Sequence, residues 1–220
     1  MISISNVSKI YKLDGISVKA VNNIDLTIKE KEFVAIMGPS GSGKSTFMHL
    51  IGALDTPTLG SVVIDGKDIG KMSEEELAVL RNQTIGFVFQ QFNLLSKTTS
   101  TDNVILPLLY GPTPTSKRRS LAHEMLTKVG LSDRLYHFSN QLSGGQQQRV
   151  AIARAIITNP KIILADEPTG NLDSKSAEEI MKLFKQLNKE GKTVVLITHE
   201  HDIASHAKRI VRIKDGGIVK

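Results

Sequence analysis

Apolar residues recur along this chain in two different rhythms. Near the N-terminus VNNIDLTI (21–28) places Ile24, Leu26 and Ile28 on alternate positions, the period of a half-buried strand. FVAIM (33–37), GFVF (86–89), IILA (162–165), TVVLIT (193–198) and RIVRI (209–213) are short apolar runs, the form of strands covered on both faces. SVVIDG (61–66) predicts a strand ending in an Asp-Gly turn. Helical spacing appears in STFMHLIGAL (45–54) and in SEEELAVLR (73–81), where Ser73 and Glu76 form a capping-box pattern. It returns in SKSAEEIMKLFKQLNKEG (174–191), which ends at the C-cap candidate Gly191. Between Gln91 and about Pro160 helical stretches dominate, broken by a loop around Pro112 and Pro114. Strands alternating with helices at both ends predict a mostly parallel sheet covered on both faces, with a helical lobe set into it.

Composition narrows this picture without changing it. The 220 residues, 40% hydrophobic and 23% charged, suffice for one substantial α/β domain with an inserted lobe. Cys is absent, which fits a reducing compartment and excludes a disulfide framework or a thiolate metal site. MISISNVSKIYK lacks the layout of a secretory leader, and no run approaches the roughly 18 apolar residues of a membrane helix. A membrane role is therefore expected through a partner. Net charge is +6, and the only tight basic cluster is Lys117, Arg118 and Arg119. Three charges do not make a nucleic-acid groove, and no nucleic-acid partner is expected.

The chemistry starts after FVAIM. GPSGSGKS (Gly38, Pro39, Ser40, Gly41, Ser42, Gly43, Lys44, Ser45) has the spacing of a phosphate-binding loop, between a strand and a helix that Thr46 continues. The glycines allow a tight turn whose N–H groups point at phosphate oxygens, and the helix adds its positive end. Lys44 brings a full charge to the β- and γ-phosphates, and Ser45 a hydroxyl ligand for Mg²⁺. In IILADEP, Asp166 and Glu167 end a buried strand, where α/β sheets put their ligands. Adjacent carboxylates point in different directions. Asp166 suits Mg²⁺, and Glu167 suits a general base for the attacking water. LSGGQQQRVAIARA (142–155) adds a second anion-directed helix end: Ser143 can cap it, and Gly144 and Gly145 leave amides uncovered. One nucleotide needs only the first such end, so the second can serve a nucleotide held by another copy.

In this order, the phosphate loop, LSGGQ and ADEPTGNLDS resemble the ATP-binding-cassette ATPases over nearly the whole chain. The resemblance implies a P-loop NTPase with a RecA-like, mostly parallel core and an N-terminal antiparallel β subdomain. It implies one cassette over 1–220, with the α/β core in 1–90 and 160–220 and the helical subdomain in 91–159. It implies head-to-tail pairing with a second copy, with ATP and Mg²⁺ as ligands and Ser143, Gly144, Gly145 and Gln146 reaching the γ-phosphate across the pair. Gln90, on a one-residue choice over Gln91, matches the residue that senses Mg²⁺ and water. His199 matches a γ-phosphate contact, and Asp173 the loop that couples the two sites. Tyr11 falls where the family stacks an aromatic on adenine.

The motif strings most resemble the branch serving lipoprotein release and macrolide and antimicrobial-peptide export. The implied activity is ATP hydrolysis coupled to transport, on the inner face of the cell membrane. The alternatives are a cassette ATPase acting on DNA or ribosomes, which usually carries coiled-coil insertions or paired cassettes, and a small-molecule kinase, which needs no LSGGQ. Phe92, Leu94 and Leu95, apolar in a loop after Gln90, either anchor the helical lobe or receive a transmembrane subunit.

Overall fold

The computed structural model describes residues 1–13 and 16–219. The chain divides into two compact units, residues 1–81 with 193–220, and residues 82–192. The lobe expected at 91–159 falls wholly within the second.

The first unit opens with β1 (Ile2–Leu13) and β2 (Ile16–Ile28), paired antiparallel. β4 (Leu59–Ile64) pairs antiparallel with the other edge of β1, and the two-residue β5 (Lys67–Asp68) closes a hairpin on β4. That hairpin turns at Asp65 and Gly66, both at positive φ, as the Asp-Gly pair predicts. Strand β2 begins five residues earlier than its apolar alternation indicates, because 16–19 are exposed and Ala20 is only half-buried, so this stretch carries no buried side chain. Ile24 and Ile28 are buried and Leu26 half-buried, on the inward face that the alternation predicts.

Also in this unit, β3 (Phe33–Met37) lies between β8 (Thr193–Thr198) and β9 (Arg209–Lys214), parallel to both. Every residue of β3 and β8 is buried, which is why both read as unbroken apolar runs. β10 (Gly217–Val219) is antiparallel to β9. α1 (Lys44–Ile51) follows β3 through a six-residue loop and stops at Gly52, short of the predicted end at 54. α2 (Glu74–Thr84) starts on the expected capping box: the Ser73 N–H donates to Glu76 and the Glu76 N–H to the Ser73 hydroxyl.

The second unit holds the parallel pair β6 (Ile85–Val88) and β7 (Ile162–Asp166). Around it are α3 (Ser100–Ile105), α4 (Thr115–Lys128), α5 (Gly144–Ile156) and α6 (Ser174–Lys189). Within the helical stretch expected after Gln91, α3 is α only to Ile105 and continues as a 3₁₀ segment (Leu106–Tyr110) with Pro107 near its start. Proline has no N–H for the i−4 carbonyl, so the α pattern cannot run through it. In α6, Ile180, Leu183, Phe184 and Leu187 make the buried stripe, at the spacing of an amphipathic helix. Gly191 sits at φ 98 just past the end, as a C′ glycine. Back in the first unit, a short α7 (His201–Ala204) follows β8. Among the described residues no helix is long and apolar enough to cross a membrane.

Candidate functional site

In the first unit the phosphate loop is shaped by its backbone. Gly43 caps α1 at φ 99, and Gly41 lies at φ 77. No side chain caps α1, so its first-turn N–H groups point out of the helix without an internal acceptor. Glycine is required twice over by close packing: a Cβ on Gly43 would overlap the Ala20 carbonyl oxygen, and one on Gly38 the Ile213 carbonyl oxygen. The loop is thus pressed against β2 and β9, and its curve is fixed from outside. The Gly216 N–H holds it further by donating to the Ser42 carbonyl at 3.0 Å.

Lys44 is 9% exposed. Its ammonium donates to the Gly38 and Pro39 carbonyls, each at 2.7 Å. An ammonium has three protons, so this grip leaves one for a phosphate oxygen while the side chain stays aimed along the loop. Pro39, Ser40, Gly41 and Ser45 are exposed on the loop, and Thr46 is half-buried in the first turn of α1. His199 is exposed just past the C-terminal end of β8.

Tyr11, near the end of β1, is half-buried. Its hydroxyl donates to Asp55 at 3.0 Å, and Lys9 donates to the other carboxylate oxygen. Partial burial and the Asp55 carboxylate push the phenol pKa up; the Thr46 hydroxyl acts on the same oxygen in the opposite sense. Tyr11 is therefore next to α1. Asp55 and Lys9 were missed in the sequence, where no local pattern links residues 9, 11 and 55.

In the second unit Asp166 ends β7 and Glu167 follows it at φ 43. A non-glycine residue in the left-handed region costs about 1–3 kcal/mol, and such strain gathers where a side chain must be aimed. Nothing in the residue type announces it. Gln90 follows β6 in a loop, and its carbonyl accepts from the Asn171 amide at 3.0 Å. A Cβ on Gly170 would stand 2.7 Å from the Gln90 side-chain amide nitrogen, so the segment after Glu167 packs closely on Gln90.

α5 starts at Ser143, whose hydroxyl accepts from the Gln146 N–H at 3.3 Å while the Gln146 side chain accepts from the Ser143 N–H at 3.0 Å. The cap expected of Ser143 is one half of a reciprocal capping box, with Gln146 as the other. A Cβ on Gly145 would meet the Ser176 hydroxyl at 3.0 Å, so Gly145 lets the starts of α5 and α6 approach. α6 is capped by Asp173, which accepts from the Ser176 N–H at 2.9 Å and from its hydroxyl. These bonds from Ser176 hold the Asp173 pKa below its ordinary value. A cavity of about 550 Å³ opens here, lined by Ser143, Gly145, Gln146, Arg149, Ser176 and Glu179 among others.

Two further residues tie α5 to its surroundings. Gln148 is fully buried, and its amide nitrogen donates to the Pro168 carbonyl at 2.7 Å and the Phe89 carbonyl at 3.3 Å. It thus fixes the residue after Glu167 and the residue before Gln90 to one helix. Arg154 donates to the Asn93 and Phe92 carbonyls. The signal was present: Gln148, Ala151, Ile152 and Ala155 share the buried face of α5, so a glutamine on that stripe needed polar partners. Phe92 and Leu94 are half-buried and Leu95 is 48% exposed. The Phe92 ring reaches the start of α5, 3.7 Å from where a Cβ on Gly144 would stand.

A family model described as ABC transporter matches residues 21–170, which include the phosphate loop, the α5 cap and the Asp166–Glu167 strand end. The chain belongs to the ABC transporter family. It is 53% identical over 219 residues to an uncharacterized ABC transporter ATP-binding protein, YknY, of Bacillus subtilis, covering all of this chain and 95% of that one. It is 51% identical to a macrolide export ATP-binding/permease protein, MacB, of Bdellovibrio bacteriovorus, and spans 33% of that longer chain. Among solved structures it matches the dimeric ATP-binding cassette MJ0796 in a post-hydrolysis state bound to ADP and Pi. The TM-score is 0.91 at 50% identity, covering all of this chain and 97% of that one. The α/β fold is that of an ABC cassette, and the chain is an ATP-binding subunit and ATPase of this family.

The donors expected for Mg²⁺ are the Ser45 hydroxyl, the Gln90 amide oxygen and the Asp166 carboxylate. This all-oxygen set fits a hard ion that takes its remaining ligands from phosphate and water. Among the described residues no group of three or more His, Cys, Asp or Glu forms a cage of its own.

Proposed function

We propose that this chain is the ATP-driven motor of an export-type transporter, acting as a head-to-tail pair of copies on a separate transmembrane subunit. The observation that carries this is the presence of two unlike anion-directed helix starts, α1 and α5, on one chain. The dimeric MJ0796 cassette supports the pairing, and MacB, named for both ATP binding and permease, supports the membrane partner and the export direction. The cavity at the start of α5 would then receive the nucleotide held by the other copy. The motor would sit on the inner face of the cell membrane through its partner, docked near Phe92, Leu94 and Leu95.

Each residue has a role in this reading. The loop from Gly38 to Thr46 cradles the phosphates, with Lys44 neutralising charge on the β- and γ-groups. Tyr11 stacks on adenine. Ser143, Gly144, Gly145 and Gln146 of the other copy meet the γ-phosphate, and Asp173 couples the two sites. Ser45, Gln90 and Asp166 would hold Mg²⁺, which when bound would supply positive charge against the phosphate oxygens. His199 contacts the γ-phosphate, and Glu167 accepts a proton from a water that Gln90 helps to orient. The water oxygen bonds to the γ-phosphorus, the bond to the bridging oxygen breaks, and ADP and phosphate leave.

Glu167→Gln keeps the shape and removes the base. Steady-state hydrolysis should fall roughly 10²–10⁴-fold. ATP should still bind, and size-exclusion chromatography with ATP should show an accumulated dimer. Hydrolysis at the wild-type rate would take Glu167 out of this role.

A further inference from the structure

Tyr11 is held by a small ion-pair cluster that ties it to the helix behind the phosphate loop. Asp55 lies four residues past α1, and its N–H donates to the His49 carbonyl in the last turn of that helix at 3.2 Å. Its carboxylate accepts from Lys9 on one oxygen and from the Tyr11 hydroxyl on the other. The Thr56 N–H adds a bond at 2.7 Å, and Lys9 also donates to the Thr56 carbonyl at 2.8 Å. The Lys9 ammonium stands 5.2 Å from the centre of the Tyr11 ring, over one face. Lys9 and Asp55 side chains are 14% and 28% exposed, so the pair is shielded more than a typical surface bridge.

We propose that Asp55, braced by Lys9, is a positioning residue that fixes the place of the Tyr11 ring relative to α1 as a platform for adenine. This rests on the reading of Tyr11 as the adenine contact. A phenol held at its far end cannot swing about its Cα–Cβ bond without breaking the Asp55 bond. With the Lys9 ammonium on one face, the other face is the one a base would use. A ring ordered beforehand does not lose that freedom when adenine arrives, so the stacking contact is realised more fully. Because Asp55 is anchored to α1, the platform and the phosphate loop are held by the same helix. Burial works against the Asp55 charge, but Lys9, the Thr56 amide and Tyr11 outweigh it, and its pKa lies below the ordinary carboxylate value. The carboxylate is therefore charged wherever the cassette would bind nucleotide.

The test compares ATP with inorganic tripolyphosphate, which offers the phosphates without the base. Binding of each, with Mg²⁺, is measured by calorimetry for the full chain and for Asp55→Ala, Tyr11→Phe and Tyr11→Ala. Asp55→Ala and Tyr11→Phe should each weaken ATP by roughly 2–10-fold, the cost of ordering one free side chain. Tripolyphosphate should bind all variants as it binds wild type. A pH titration of phenolate absorbance gives a second readout: the Tyr11 transition, raised in wild type by burial and by the bond to Asp55, should move down in Asp55→Ala. Unchanged ATP binding in Asp55→Ala and Tyr11→Phe, alongside a loss in Tyr11→Ala, would overturn the positioning role and leave the adenine contact standing. No loss in Tyr11→Ala would overturn both. Equal losses for ATP and tripolyphosphate would mean that Asp55 acts on the phosphate loop itself, and would also overturn the proposal.

Discussion

Two helix starts, α1 and α5, face an anion in different ways. α1 is capped by Gly43 with no side-chain hydrogen bond, so its first amides keep their hydrogens for a ligand, and Lys44 adds a charge at the same place. α5 is closed by a capping box: the Gln146 N–H and side-chain oxygen are both spent on Ser143. What α5 still offers is the amides of Gly144 and Gly145, the hydroxyl proton of Ser143 and the side-chain NH₂ of Gln146, without a cation of its own on that turn. In the proposed reading the first end holds the triphosphate by itself. The second is half-satisfied and suits a ligand already held elsewhere. The two ends also differ in what sets their shape. The α1 loop is bent by glycine backbone pressed on β2 and β9, whereas α5 is located by side-chain bonds from Gln148 and Arg154.

The largest effect should come from breaking the backbone device. In Gly43→Ala the methyl group would overlap the Ala20 carbonyl oxygen, in a residue held at φ 99. Left-handed strain alone costs about 1–3 kcal/mol, and the overlap adds to it. Thermal unfolding should show a clear loss of stability, and ATP binding by the isolated chain should fall at least about tenfold, the factor that 1.4 kcal/mol of lost contact represents. Wild-type affinity in this variant would mean that the α1 loop is not the primary phosphate site.

These two devices were not equally legible in the sequence. Glycines at fixed spacing after an apolar run announce a backbone cradle directly, because few residue types permit it. The strands were legible for the same local reason: β3 and β8 are buried on both faces and read as unbroken apolar runs. The side-chain device is non-local. Gln148 looks like one of three glutamines in a row, and only its place on the buried stripe of α5 marks it out. The left-handed Glu167 and the bond from Tyr11 to Asp55 leave no pattern at all, since one depends on the turn after β7 and the other on chain segments 44 residues apart. Helix ends were legible where a capping residue stood, at Ser73 and Gly191, and were overrun at α1, which ends at Gly52 although apolar residues continue.

Gln148→Leu tests the side-chain device. It leaves the Phe89 and Pro168 carbonyls without their amide donor inside a packed region. An unsatisfied buried polar group costs about 1–3 kcal/mol, so stability should drop by that order. At a temperature where the variant is still folded, ATP affinity should stay close to wild type, because α1 is untouched. Turnover should fall, because the residues flanking Gln90 and Glu167 lose their common anchor. Equal changes in ATP affinity and turnover would argue that α5 and the α1 loop respond together, and would weaken the contrast drawn between them.

Ser143→Ala makes the smallest change and separates the two ends most directly. Removing an N-cap hydroxyl costs about 1 kcal/mol, because the Gln146 N–H loses its acceptor. For a chain of this size that corresponds to a melting temperature lower by about 2–4 °C. The phosphate loop is unaffected, so ATP should bind a single copy with wild-type affinity. If α5 serves a nucleotide held by another copy, the loss appears only in assembly: in a Glu167→Gln background, Ser143→Ala should raise the protein concentration needed for the ATP-dependent dimer. A variant that binds ATP more weakly as a monomer would place α5 at the chain's own nucleotide, and the two helix starts would then share one ligand rather than divide the work between two copies.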